Sequence, residues 1–118
     1  MRLSWWLGPA AVVLVAGSGA LAADQMRFWN TTSVQIDELY LAPAGTDKWG
    51  PNQTLNEDDK SVEVDERMKL TGVEPGRYDV KLVDARGRTC VVRNVEVKGG
   101  GKYAFSLEDK DLTVCAKK

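Results

Sequence analysis

The sequence predicts an all-β fold, a single antiparallel β-sandwich of about seven strands. Three observations carry this. Apolar residues alternate with polar ones in short runs, turn residues punctuate those runs at intervals of about ten, and no stretch sustains a helical period. No internal repeat is visible.

Ahead of the strands, residues 1–22 read as a secretory signal peptide. Arg2 gives the positive start, an apolar run extends from Leu3 to Val15, and small residues end at Ala20-Leu21-Ala22. A membrane anchor is disfavoured, because Gly8, Pro9, Gly17, Ser18 and Gly19 break the apolar run and no basic flank follows. The expected cut, after Ala22 or Ala23, has no cysteine for a lipid, and Arg2 stands alone, which argues against a twin-arginine signal. The remaining domain, 23–118, has about 95 residues, which suits one domain and leaves no room for two. A periplasmic or secreted location follows, with no integral membrane segment after cleavage.

Within the domain, "MRFWN" (26–30) is the first strand. In "VQIDELYLA" (34–42), Val34 and Ile36 share one face, and then the phase shifts so that Leu39 and Leu41 take over; a β-bulge at Asp37-Glu38 would keep both pairs facing the core. "SVEVD" (61–65) and "RMKLTGV" (67–73) follow a long loop. Pro75-Gly76 makes a turn. "RYDVKLVDA" (77–85) is the clearest strand, with Tyr78, Val80 and Leu82 on one face and Asp79, Lys81 and Val83 on the other. "ARGR" turns and "TCVVRNVEV" (89–97) returns, so 77–97 reads as a hairpin. "KGGGK" (98–102) turns again, and "YAFSLE" (103–108) and "LTVC" (112–115) complete the set.

The two cysteines, Cys90 and Cys115, lie in the domain, where export favours a disulfide. A catalytic thiol or a metal pair is disfavoured, since the chain has no histidine and no CxxC. Without Arg2 the chain carries 15 Lys and Arg against 17 Asp and Glu, a net charge of −2. That balance argues against a dedicated nucleic-acid binder. Residues 24–85 hold 7 basic and 13 acidic side chains and residues 86–118 hold 8 and 4, an asymmetry that interleaved strands would average out.

"IDELYLAPAGTDKWGPNQ" and "LTGVEPGRYDVKLVDARGRTCVVRNVEV" resemble the matching segments of a family of small, largely uncharacterised exported bacterial proteins. The likeness implies an exported β-sandwich and no particular activity. This chain departs from the family in the place of its second cysteine, Cys115. "PGRYDVKLVDARG" also resembles the strand signature of immunoglobulin-like and prealbumin-like sandwiches.

The loop 43–56 is the first candidate surface. Pro43 closes a strand, Gly45 and Gly50 permit tight bends, and Asp47 and Asn52 suit Asx turns. So long an irregular loop is unusual in a small domain. Trp49 has two readings. In one, its indole covers an open end of the sandwich and buries roughly 150–250 Å². In the other, it lies partly exposed beside Tyr40 and recognises a glycan, a peptide or a partner protein. Tyr40, Asp47, Trp49 and Asn52 are therefore the candidate binding residues.

"NEDDKSVEVDE" (56–66) has six carboxylates and one lysine, which raises a Ca²⁺ site. The EF-hand spacing fails at Lys60, and a solvated acidic face explains the run better. Catalysis finds little support: histidine is absent, no free thiol is expected, and no motif selects two carboxylates. "VKGGGKY" lacks the spacing of a phosphate loop, and "NTT" and "NQT" matter as glycan acceptors only in a eukaryotic host. The expected function is therefore non-enzymatic and cofactor-free: a binding or structural accessory protein with an unidentified protein or glycan partner. The alternatives are a proteinaceous inhibitor of an exported enzyme and a calcium-binding protein.

Overall fold

The computed structural model describes residues 26–117, so the expected signal peptide, 1–22, lies outside the described residues. Seven strands form: β1 (Arg27–Thr31), β2 (Ile36–Pro43), β3 (Arg67–Lys69), β4 (Gly76–Asp84), β5 (Arg88–Val97), β6 (Phe105–Glu108) and β7 (Cys115–Lys117). They make two sheets, one ordered β3-β1-β6 and the other β2-β4-β5-β7. The fold is the all-β sandwich that the alternating pattern predicts. One pair departs from the antiparallel rule: β1 runs parallel to β6, with Phe28 opposite Phe105.

The inner faces meet in a core of Phe28, Ile36, Leu39, Met68, Val80 and Leu82, all fully buried. The rings of Phe28 and Phe105 lie 4.9 Å apart, a tilted pair that ties the parallel strands through their side chains. The bulge in β2 is present: the register shifts between Ile36 and Glu38, and Val34, Ile36, Leu39 and Leu41 are all buried. The hairpin β4–β5 also forms as the sequence predicts. In its turn Gly87 takes φ 81°, and Asp84 accepts from the N–H groups of Arg86 (2.9 Å) and Arg88 (3.0 Å).

Four segments differ from expectation, and in one of them the strand expected over 67–73 is confined to Arg67–Lys69. The segment 61–65 is not a strand: Val62 makes an isolated bridge to Ile36, and Asp65 then turns the chain at φ 69°. The last strand is Cys115–Lys117 rather than 112–115, because a 3-10 turn at Asp109–Asp111 follows β6 directly. Within that turn Asp111 accepts from the N–H of Glu108 at 2.8 Å. The strand expected over 103–108 begins only at Phe105.

Asn30 is fully buried at the end of β1. It donates to the carbonyls of Val34 (3.0 Å) and Val62 (3.1 Å) and accepts from the Thr32 N–H (3.0 Å) and hydroxyl (2.6 Å). Both ends of its amide are thereby satisfied. "NTT" is thus a packing motif, and Asn30 is closed to a glycan.

Cys90 and Cys115 are joined, as expected from two cysteines in a small domain. Cys90 is fully buried on β5, while Cys115 sits on the exposed strand β7. The bond fastens a three-residue edge strand to the sheet.

Candidate functional site

The loop 43–56 leaves β2 at Pro43, turns at Gly45 (φ 79°) and Asp47 (φ 55°), and then runs back along the free edge of β2. Gly50 donates its N–H to the carbonyl of Leu41 at 2.9 Å, and Asn52 Oδ1 accepts the N–H of Leu39 at 3.0 Å. Thr54 Oγ1 donates to the carbonyl of Asp37 at 3.0 Å, and Ile36 exchanges two bonds with Val62 (2.9 and 2.8 Å). The edge of β2 is thereby paired along its length, which closes it to other strands. Asn52 also caps the 3-10 turn Gln53–Asn56 through Thr54.

The opposite anchor is Asp79 on β4. The alternation places it on the outer face, yet it is 2% exposed, because the loop folds over it. Its carboxylate accepts from the N–H groups of Gly45 (2.9 Å) and Asn94 (2.9 Å) and from Arg93 Nη1 (3.0 Å). The Gly45 and Asn94 amides, followed by Arg93, hold its carboxyl below the ordinary range despite burial. Arg93 in turn reaches Asp47 at 3.5 Å. A buried carboxylate with these donors fixes the start of the loop.

Between the anchors lies Trp49, half-buried. It does not cover an open end of the sandwich. Lys81 points outward, since Val80 and Leu82 beside it are fully buried, and its Nζ lies 4.7 Å from the Trp49 ring and 5.2 Å from the Tyr40 ring. The indole thus stands on the outer face of the four-stranded sheet. The sandwich end beside it is an open depression of about 390 Å³, lined in part by Leu41, Gly50, Gln53, Val73 and Tyr78. Tyr40 donates its hydroxyl to Glu38 at 2.6 Å, and that bond, then burial, then the Glu38 charge push its phenol upward.

Of the four residues singled out by sequence, Tyr40 and Trp49 come together around Lys81. Asp47 pairs with Arg93 and makes no Asx turn; the local side-chain turn is made by the hydroxyl of Thr46, which accepts the N–H of Lys48 at 3.1 Å. Asn52 stands apart, its side-chain oxygen committed to the edge of β2. Lys81, Asp79 and Arg93 carry no site motif in the sequence. The alternation of β4 marks Lys81 as outward-facing, but the segments that meet Asp79 lie 34 and 15 residues away in sequence.

The acidic run 56–66 does not gather into a cation site: among the described residues, no three acidic side chains converge as metal ligands. It holds one close pair. Glu57 bonds to Glu66, and that contact, with burial and the Glu66 charge, pushes the Glu57 carboxyl up to about 7. Also among the described residues, no helix is long and apolar enough to cross a membrane. The chain matches no known protein-family model, and neither curated proteins nor solved structures show significant similarity to it.

Proposed function

We propose that this chain is an exported, non-enzymatic binding or structural accessory protein that takes a protein or glycan partner on the Tyr40–Lys81–Trp49 face. The observation that carries the reading is the half-buried Trp49 presented beside Tyr40 on a loop held at both ends, by Asp79 and by the edge of β2. An aromatic side chain held in place costs little ordering on association. The Cys90–Cys115 bond supports an oxidising compartment, in keeping with the signal-like residues 1–22.

The test is capture from the secreted or periplasmic fraction of the native host, with wild type and Trp49→Ala side by side. A partner retained by wild type and lost with Trp49→Ala, the variant remaining fully folded at the temperature of capture, supports the reading. Equal capture by both would refute it. A single stoichiometric hydrolase among the captured proteins assigns the binding to enzyme inhibition.

A further inference from the structure

The outer face of the three-stranded sheet carries a second cluster, on the opposite side of the molecule from Trp49. Phe28 and Met68 are fully buried, so their neighbours Arg27 and Trp29 on β1 and Arg67 and Lys69 on β3 face outward. In the ladder Arg27 stands opposite Lys69 and Trp29 opposite Arg67. The Arg67 guanidinium lies over the Trp29 ring, 4.2 Å from its centroid. The indole N–H donates to Asp65 at 3.0 Å, which fixes the ring, and Tyr103 approaches it at 5.2 Å while remaining 39% exposed.

Two features of this cluster go beyond a solvated surface. Like charges directly opposite each other on a ladder are unfavourable, yet Arg27 and Lys69 are so placed. The ion pairs among the described residues join Arg88 to Asp84 and Arg93 to Asp47 and Asp79; none relieves Arg27, Arg67 or Lys69. An arginine stacked on an aromatic ring keeps its in-plane N–H donors free for a carboxylate fork. Strand geometry spaces the three cations by roughly 5 Å across the pair and about 7 Å along β3. That spacing suits a chain of regularly repeated anions better than one isolated anion.

We infer that this face binds an anionic polysaccharide whose sugars carry carboxylates, with Arg27, Arg67 and Lys69 taking the charges and Tyr103 packing against the sugar rings. A single-stranded nucleic acid fits less well. It binds by stacking bases on open aromatic shelves, and Trp29 is already covered by Arg67 and met by Tyr103 at a 56° tilt.

The experiment is affinity electrophoresis and titration calorimetry of the disulfide-intact chain with polygalacturonate, with neutral dextran and oligothymidylate as comparisons. Polygalacturonate should retard and bind the wild type at low salt, with affinity falling as salt screens the charges. Arg67→Ala combined with Lys69→Ala, both at exposed positions, should weaken binding about tenfold or more, with a melting temperature lowered by only a few degrees through loss of the Arg67–Trp29 contact. Arg67→Lys should recover part of it, and Trp49→Ala should bind as wild type. The inference fails if polygalacturonate does not bind, if dextran binds equally, if oligothymidylate binds more tightly, or if the double variant matches wild type. Loss of binding with Trp49→Ala would equally refute it, by placing the ligand on the other sheet.

Discussion

Asp79 is the residue on which the shape of the 43–56 loop depends, and replacing it by alanine tests this. The substitution leaves three donors without their acceptor: the N–H groups of Gly45 and Asn94 and Arg93 Nη1. The Arg93 side chain is 60% exposed and turns to water, so its share is small. The two amides each lose a bond to a charged acceptor, worth about 1.5–3 kcal/mol where water cannot replace it. Gly45 recovers part of its loss by rehydration, because the loop is exposed. The expected cost of Asp79→Ala is therefore about 3 kcal/mol, or roughly 12–24 °C in melting temperature for a domain of this size. Asp79→Asn keeps one acceptor oxygen and should cost about half as much. The sign with pH follows from the lowered carboxyl: its stabilisation is present above the unfolded value of 3.8 and is lost as pH falls through the folded one. Wild type and Asp79→Asn should therefore converge in acid. Urea unfolding between pH 7 and pH 3 measures the difference, and Trp49 fluorescence in a Trp29→Phe background of the 23–118 domain, which lacks Trp5 and Trp6, reports whether the loop is released. A loss below about 1 kcal/mol at pH 7, or an unchanged Trp49 spectrum with Asp79→Ala, would show that the loop is held by something else.

Trp49→Ala removes a cation–π contact on an open face and should cost at most about 1.5 kcal/mol by urea unfolding; a loss above about 3 kcal/mol would mark Trp49 as a packing residue. Replacing both Cys90 and Cys115 by alanine opens a link spanning 25 residues and should lower stability by about 3–4 kcal/mol, with no further effect of reductant. Glu57 is raised from 4.5 to about 7, so the stability it contributes is complete below pH 4.5 and disappears as pH rises through about 7. Glu66→Gln should flatten stability over that window, and a stability–pH curve that keeps the wild-type slope would refute the pairing.

Much of the sandwich was legible because its signals are local. The β2 bulge is written in the phase change from Val34 and Ile36 to Leu39 and Leu41, and the β4–β5 hairpin in the alternation of Val80 to Val83 and the turn Asp84-Ala85-Arg86-Gly87, whereas the register shift between Tyr78 and Val80 has no such local mark. The strands that moved are those set by remote partners. Val62 and Val64 alternate like a strand, yet only Val62 is held, by Ile36. Tyr40 and Trp49 were visible as aromatic residues flanking a long loop, whereas Lys81 between them depends on a register no single segment states. Arg67 meets Trp29 only through the antiparallel pairing of β1 with β3, and Tyr103 joins them only when β6 pairs alongside β1.

That parallel pairing has a consequence for how the molecule comes into being. β1 is the middle strand of its sheet, and its neighbours arrive late, Met68 opposite Phe28 and then Phe105 opposite the same residue. Contacts so distant along the chain form slowly, after a large loop has closed. Until residues past 105 are available, one side of β1 has no strand to pair with, so its sheet cannot close before nearly the whole chain is made, although β2, β4 and β5 of the other sheet are complete by Val97.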